Sequence, residues 1–189
     1  MPRPRRYDDV LRSRLLDAAA ERIAREGPAH LSLREVARSA ETSTSAVYGL
    51  FGNRDALVAA VGEEAFRRFA ARLDGVPRTP DPMTDLFELG LVYRSFALAE
   101  PHFYRVMFDT APIPGTSSYE STFEVLRAAA ARLAPPAGAT ETALVLWALV
   151  HGLVGLELAG LAPGTEQERE ARYALALRSG GAGLFGVTP

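Results

Sequence analysis

The chain has 189 residues, and 48% of them are hydrophobic, which is enough for one globular unit or for a small domain joined to a larger one. It contains no cysteine, so a disulfide framework, a thiolate metal site and a cysteine nucleophile are all excluded. The formal net charge is only −2, which argues against a protein that binds polyanions in general.

The first predicted helix covers residues 9–26. Its apolar residues recur every four positions, and Gly27 followed by Pro28 ends the pattern. The stripe consists of Leu11, Leu15, Ala19 and Ile23. A helix with one such stripe is expected to bury that face against neighbouring helices.

A basic segment precedes this helix, with Arg3, Arg5 and Arg6 ahead of any acidic residue. Residues 1–60 hold 10 arginines and 8 acidic residues, whereas residues 61–189 hold 11 and 15. The segment is either an arm that reaches a DNA backbone or minor groove, or a solvated tail. Charged residues follow it where a secretion signal would be apolar, so we expect a cytoplasmic protein.

Two short amphipathic helices, separated by a tight break, are predicted between residues 31 and 57. Ser32 and Glu35 form an S-x-x-E capping pattern, which predicts a helix start at residue 33. The hydroxyl-rich run at 41–45 interrupts the apolar stripe, because short polar side chains compete for backbone hydrogen bonds. The second helix is apolar on one face and carries Thr44, Ser45 and Tyr48 on the other. Such a helix suits the major groove of DNA.

The rest of the chain continues the helical pattern, so the predicted fold is all-α with about nine helices. Asn53 caps a fourth helix whose apolar residues are Leu57, Val61, Ala65, Phe69 and Leu73. After a proline-rich linker at 77–82, helices are predicted over 83–99, 101–108, 118–133, 141–161 and 166–179. Two further capping boxes are Ser117 with Glu120 and Thr165 with Glu168.

One segment, residues 142–156, is apolar almost all round. A membrane span needs about 20 apolar residues, and this run has His151 in its middle and glutamates at both ends. We therefore favour burial against the chain's own helices and a second copy of the chain over a membrane span.

The pattern S-x-x-x-V-A-x-x-A, followed by S-x-S-x-x-Y-x-x-F-x-x-R-x-x-L, resembles the DNA-binding domain of the TetR family of bacterial transcriptional regulators. The similarity covers about residues 9–61. It departs from the family mainly at Glu41, where the family usually has glycine. Because a turn that needs a positive φ disfavours glutamate, this residue is expected to affect DNA affinity rather than the fold.

The resemblance implies an N-terminal helix-turn-helix domain over residues 1–52. Within it Tyr48, and just beyond it Arg54, match family positions that hold phosphates. Arg34 is the best candidate for reading a base, because a guanidinium can bind guanine with two hydrogen bonds. Tyr48 could instead pack against the protein, and Arg34 could instead lie on a solvated helix face. Both alternatives to DNA contact remain open. The predicted DNA-contacting residues are Ser32, Arg34, Ser43, Thr44, Ser45, Tyr48 and Arg54, although one of Ser43 and Thr44 is expected to cap the helix.

The sequence from Trp147 to Gly152, W-x-x-x-H-G, resembles the C-terminal domain type of TetR-like regulators that is named for a Trp-His-Gly motif. The resemblance implies a ligand-binding and dimerisation domain over residues 53–189, with the last two helices of each subunit in a four-helix bundle. Gly152 and Gly155 would permit close helix approach there.

Aromatic and methionine side chains in this domain are candidates for an apolar effector cavity, and the alternative for each is ordinary core. The predicted ligand-binding residues are Tyr93, Phe96, Phe103, Met107, Trp147 and His151. A buried His151 must satisfy its N–H group, and Tyr93, Glu157 or a ligand could do so. It is either a satisfied core histidine or a ligand contact.

Enzymatic sites are not indicated, and no catalytic residue, metal or cofactor is predicted. The carboxylates of Asp81 and Asp85, like those between residues 166 and 170, are expected on a solvated surface. His30, His102 and His151 lack a second ligand at metal-binding spacing.

The expected function is that of a homodimeric, ligand-responsive regulator, a repressor that a small apolar or amphipathic effector releases from a palindromic DNA operator. One alternative is a DNA-binding protein that responds to no effector. The other is a helical ligand carrier or enzyme that does not bind DNA.

Overall fold

The chain is helical throughout the part that the structure describes, residues 5–108, 118–133 and 138–185 of a computed structural model. These residues form nine α-helices and a short 3-10 helix, and no β-strand occurs among them. The prediction of an all-α fold with about nine helices is therefore confirmed.

The helices follow one another with short connections. In chain order they are α1 (Arg5–Glu26), the 3-10 helix (Pro28–His30), α2 (Leu33–Ser39), α3 (Thr44–Phe51), α4 (Arg54–Leu73), α5 (Pro82–Ala99), α6 (Pro101–Phe108), α7 (Ser118–Ala130), α8 (Ala139–Leu158) and α9 (Glu166–Phe185). Helix α6 has the predicted bounds, and α5, α7 and α8 end within three residues of theirs.

Helix α1 begins four residues earlier than predicted, at Arg5. Arginine is a good helix former, so the helix extends past the first residue of the apolar stripe. Arg5 and Arg6 are therefore part of a helix rather than a solvated tail, and their contact with DNA stays a prediction. Arg3 lies outside the described residues, as does Ser117 of one predicted capping box.

Helix α9 continues six residues beyond its predicted end at residue 179. Glycines follow the predicted end at 180 and 181, and they lie where neighbouring helices approach closely. A Cβ atom on Gly180 would come within 2.5 Å of Leu149 Cδ2, and one on Gly181 within 3.0 Å of Met83 Cε. Close packing against α8 and α5 offsets the low helix propensity of glycine.

The chain divides into two compact units. Unit 1 contains α1, α2, α3, α4 as far as Arg68, and α6. Unit 2 contains α4 from Phe69 onward, α5, α7 from Tyr119, α8 and α9. This division follows packing, and the functional boundary after residue 52 stays a prediction.

The core of unit 1 is built from the predicted apolar stripes. All four stripe residues of α1 are buried, and so are Leu57, Val61 and Ala65 of α4. Helix α6 adds Phe103 and Tyr104, which are 3% and 2% exposed, and packs extensively against α1. Burying these large side chains supplies most of the stabilisation of the unit.

Arg68 joins three elements of unit 1. Its guanidinium donates to Asp17 of α1 at 2.8 Å, to Glu64 of α4 at 2.8 Å and to Glu100, which precedes α6, at 3.2 Å. It also lies over the Phe103 ring, 4.2 Å from the centroid. This ion cluster fixes the positions of α1 and α6 relative to the end of α4 within unit 1.

The core of unit 2 lies where α5 packs against α8 and α9. Phe96, Ala97 and Val154 are essentially inaccessible to solvent, and Phe69 of α4 packs on Phe96 with 5.1 Å between ring centroids. The hydroxyl of buried Tyr173 donates to the carbonyl of Gly90 at 2.8 Å, which ties α9 to α5. Burial raises the pKa of Tyr173, so the phenol stays neutral.

Asp85 corrects one expectation, because it is buried rather than part of a solvated surface. Its carboxylate accepts hydrogen bonds from the Thr79 amide at 2.9 Å, from the Thr79 hydroxyl at 2.6 Å and from Arg132. The Thr79 hydroxyl, and with it Arg132, holds the pKa of Asp85 below its ordinary value. The carboxylate thus anchors the linker before α5 to the residues that follow α7.

The contribution of Asp85 to stability is expected to depend on pH. A carboxyl whose pKa is lowered by folding stabilises the native state above its unfolded pKa of about 3.9 and loses that effect as the pH falls. The difference in Tm between the wild type and Asp85→Asn should therefore be largest above pH 5 and shrink towards pH 3. Thermal unfolding followed by circular dichroism measures it. The exposed Asp74, replaced in the same way, is the control, and a pH-independent difference for Asp85 would contradict the prediction.

Candidate DNA interface and effector site

Helix α2 begins at the predicted residue, but the capping box that predicted it does not form. Ser32 occupies the N-cap position without a side-chain hydrogen bond to the backbone. The Glu35 carboxylate instead accepts from Arg22 Nη1 of α1 at 2.7 Å. The Arg22 side chain is only 12% exposed, so this charge-assisted bond outweighs the capping bond that Glu35 would otherwise make.

The turn after α2 has the backbone conformation that glycine usually supplies. Glu41 has a φ of 51° and is the one non-glycine residue with positive φ in the described part of the chain. The Thr42 amide donates to the Ala37 carbonyl at 2.9 Å, and the Glu41 amide donates to the Arg38 carbonyl at 3.1 Å. Together these two bonds form a Schellman ending of α2, in which glycine is the preferred residue at the position of Glu41.

Helix α3 presents polar side chains to solvent. Ser43 is its N-cap, and its hydroxyl accepts from the Ala46 amide at 3.1 Å, so Ser43 rather than Thr44 caps the helix. Val47 is fully buried and holds the helix on unit 1. On the outer side Ser45 is exposed and Tyr48 is 54% exposed, while Thr44 is half-buried. An aromatic side chain this exposed beside hydroxyls suits contact with a partner such as DNA.

The two predicted arginine contacts differ in their surroundings. Arg34 on α2 is exposed and makes no hydrogen bond within the described residues. Arg54 is engaged, because its Nη1 donates to the Ala29 carbonyl at 2.8 Å and its Nε donates to Asp55 at 3.2 Å. Asn53 caps α4 as predicted, accepting from the Ala56 amide at 2.8 Å.

In unit 2, a polar chain of side chains connects α5 and α8. The hydroxyl of Tyr93 lies 3.0 Å from His151 Nδ1, and Trp147 Nε1 donates to the same hydroxyl at 3.4 Å. His151 therefore contacts Tyr93, one of the partners that the sequence analysis allowed for its ring. Tyr93 is buried, whereas Trp147 and His151 are half-buried, which places one polar anchor among aromatic rings.

The six predicted ligand-binding residues fall in both units. Tyr93, Phe96, Trp147 and His151 belong to unit 2, where Phe96 is 1% exposed and packs as core. Phe103 and Met107 are on α6 in unit 1, and the Phe103 ring packs beneath Arg68. The structure thus brings Tyr93, Trp147 and His151 together directly, and the role of all six in binding a ligand stays a prediction.

A buried ion cluster in unit 2 is a feature that the sequence reasoning missed. Arg94 of α5 donates from Nε and Nη2 to Glu157 of α8 at 2.8 and 2.7 Å, and from Nη2 to Glu166 of α9 at 2.6 Å. The hydrogen bonds that Arg94 donates, above all those to Glu157, raise the pKa of Arg94. Arg169 joins both glutamates. The signal was present, since an arginine lies within the largely apolar run 89–99 and a glutamate directly follows the apolar run 142–156.

Helix α8 leaves an apolar face exposed. It is one helix in the described ranges that is long and apolar enough to cross a membrane, yet only 28% of its most apolar window is buried. From residue 144 to residue 156, the exposed residues of this helix recur at helical spacing and are apolar or small. They are Leu144, Val145, Ala148, Gly152, Gly155 and Leu156.

Comparison with protein families identifies both halves of the chain. Residues 15–61 match the model of bacterial regulatory proteins of the tetR family, and residues 86–179 match that of the tetracyclin repressor-like C-terminal domain. The two matches together cover about three quarters of the chain. The chain belongs to the TetR family.

Solved structures of other proteins have the same fold over almost the whole chain of this TetR-family protein. A chain described as a regulatory protein, SCO4313, is 28% identical with a TM-score of 0.73, and the match covers 95% of this chain and 98% of that one. A protein of unknown function from Rhodococcus sp. RHA1 is 26% identical with a TM-score of 0.70, covering 89% and 94%. A TetR-like transcriptional regulator from the same organism is 21% identical with a TM-score of 0.77, covering 97% and 98%.

These matches confirm the resemblance seen in the sequence at the level of the family. This TetR-family chain is a DNA-binding transcriptional regulator with a helix-turn-helix at its N-terminus. The Trp-His-Gly subtype stays a prediction, because the matching C-terminal model carries the broader description. No curated protein matches the chain.

Proposed function

We propose that this TetR-family regulator is a homodimeric repressor that binds a palindromic operator in the cytoplasm and is released by a small apolar or amphipathic effector. The DNA-binding part of this proposal is supported by the outward face of α2 and α3, where Arg34, Ser45 and Tyr48 are all exposed. A dimer would place two α3 helices in successive major grooves, about 34 Å apart.

The dimer is supported by the exposed apolar face of α8 together with Leu175 of α9, which is 60% exposed. A face of this kind is costly in water unless a partner covers it. Gly152 and Gly155 have no other atom near the Cβ position in the single chain, so a second helix can approach their backbone closely.

The effector site is supported by the aromatic surroundings of one polar pair, Tyr93 and His151. Sites for small apolar molecules combine hydrophobic walls with a few polar groups that fix orientation. A ring contact links this pair to α4, because Phe69 packs edge-on against Tyr93 with 5.5 Å between centroids. The preceding residue, Arg68, holds the ion cluster of unit 1.

The proposed coupling therefore uses the single helix α4. An effector that displaces Tyr93 would move Phe69, and the same helix carries Arg68 with its bonds to α1 and the start of α6. DNA and effector would then oppose each other through one coupling free energy, typically about 1–3 kcal/mol.

Three substitutions test the DNA interface. Tyr48→Phe and Arg54→Ala should weaken binding by similar factors on all sequences and lower its salt dependence, as lost phosphate contacts do. Arg34→Ala should cost about 1–3 kcal/mol and relax the preference at one base pair in each half-site. Fluorescence anisotropy with duplexes selected by the wild type from random DNA measures both effects. Wild-type binding by all three variants would place the interface elsewhere, whereas a wild type that binds no DNA in a salt-dependent way would support the carrier or enzyme alternative.

His151→Ala tests the effector site. The variant should lose the response to effector while its operator affinity stays within a few-fold of wild type, because His151 lies in unit 2, outside the helix-turn-helix. A panel of small apolar and amphipathic molecules, screened by shift in Tm and by release of operator DNA, supplies the ligand. The exposed His102, replaced by alanine, is the control. If no molecule releases DNA from the wild type, the protein binds DNA without responding to an effector.

A further inference from the structure

The turn of the helix-turn-helix carries a residue that two physical effects disfavour. Glu41 has a left-handed φ of 51°, in which its Cβ crowds the backbone. Its carboxylate also lies just past the C-terminus of α2, where the helix dipole repels negative charge. The side chain is 85% exposed and stands two residues before Ser43, the N-cap of α3. A bare carboxylate at this position would repel the phosphates of DNA bound to α3.

Arg14 of α1 contacts both features of this turn. Its Nη2 donates to the carbonyl of Ala40, the C-cap residue of α2, at 2.5 Å, and to the Glu41 carboxylate at 3.1 Å. The first bond satisfies a carbonyl at the helix end, where the helix leaves such groups without a partner. The second bond pairs the negative charge. One guanidinium thus offsets the charge of Glu41 and fixes the end of α2 to α1.

We propose that Arg14 is a positioning residue for DNA binding, which compensates for the glutamate in place of glycine at this turn. It neutralises the Glu41 carboxylate beside the recognition helix and holds the C-terminus of α2, so that α3 meets the major groove without a local repulsion. The inference depends on DNA binding alone and is independent of the effector.

The test is a double-mutant cycle of Arg14→Ala and Glu41→Gly, with operator affinity and Tm measured on the full-length protein. The DNA is a duplex that the wild type selects from a random pool. Arg14→Ala should weaken binding about three- to ten-fold, with a smaller loss at high salt, since the repulsion that it exposes is screened. Glu41→Gly should bind like the wild type and melt a few degrees higher, because glycine adopts this φ freely. In the Glu41→Gly background, Arg14→Ala should change affinity less than two-fold.

Arg25→Ala is the matched control, because Arg25 is on the same helix, is 52% exposed against 45% for Arg14, and also pairs with glutamates, Glu21 and Glu26. Arg25→Ala removes the same charge but leaves the Arg14–Glu41 pair intact. Its effect on operator affinity should therefore be the same in the wild-type and Glu41→Gly backgrounds. A three- to ten-fold loss that persists in the Glu41→Gly background would overturn the proposal, since Arg14 would then contact DNA itself. Wild-type affinity for Arg14→Ala would overturn it as well. If Arg14→Ala alone does not fold, Arg14→Gln, which removes the charge but keeps an N–H donor for the Ala40 carbonyl, replaces it in the cycle.

Discussion

Leu156→Arg is expected to convert the protein to monomers and to abolish operator binding together. Leu156 is 50% exposed on α8, so an arginine there does not disturb the core of the single chain. It places a charge in the face that we propose joins two copies, where a desolvated and unpaired guanidinium is strongly unfavourable. Because a half-operator is bound far more weakly than a full one, operator affinity should fall at least about a hundred-fold.

Light scattering at micromolar concentration and an operator-binding assay measure the two losses. Leu153→Arg, one helical turn earlier, should act in the same direction. Val10→Arg is the matched control, because Val10 is 58% exposed but lies on α1 in unit 1. A wild type that is monomeric at micromolar concentration, or a monomeric variant that binds the operator normally, would refute the dimer proposal.

Arg94→Met is expected to cause the largest loss of stability among the single substitutions considered. It removes the guanidinium that pairs with Glu157, whose side chain is only 7% exposed. Among the described residues, the buried carboxylate then keeps only the more distant Arg169 as an ion-pair partner. Breaking one partner of a buried pair costs about 3–5 kcal/mol. For a chain of this size the Tm should fall by about 10 °C.

The double variant Arg94→Met with Glu157→Met separates the two contributions to this loss. Replacing both charges by apolar side chains of similar size is often close to neutral, so the double variant should recover most of the lost Tm. Thermal unfolding must be compared at equal protein concentration, because dimerisation adds to the apparent stability. A double variant as unstable as the single one would show that Arg94 stabilises the fold by packing, against Tyr173 for example, rather than by pairing Glu157.

Local sequence signals predicted the helices well where one interaction dominated. Asn53 caps α4, and Thr165 and Glu168 form the predicted reciprocal capping box, because no stronger partner within the described residues competes for these side chains. The identical pattern at Ser32 and Glu35 failed because Arg22, distant in sequence, offered Glu35 a better bond. A capping pattern predicts the helix start reliably, and predicts the hydrogen bonds only when long-range partners are absent.

The functional residues were harder to place, because sites depend on contacts between distant segments. The pairing of Tyr93 with His151 was among the alternatives, since both are polar groups within apolar helices. The burial of Asp85 was not foreseen, because its partner Arg132 is 47 residues away. Nor could periodicity show that Phe103 and Met107 pack in unit 1, since both units contain amphipathic helices.

The discontinuous course of unit 1 limits how this regulator can be recombined. Its DNA-binding half is completed by α6, which returns from residue 100 onward and packs against α1. An exchange of DNA-binding heads between regulators at residue 52, or even at 68, would therefore join an α1 from one protein to an α6 from another. Successful chimaeras should carry α6, and Glu100 with it, from the same parent as α1. Transfer of a new operator specificity to this regulator is then expected to require two separate segments of the gene, one encoding α1 and the other encoding α6.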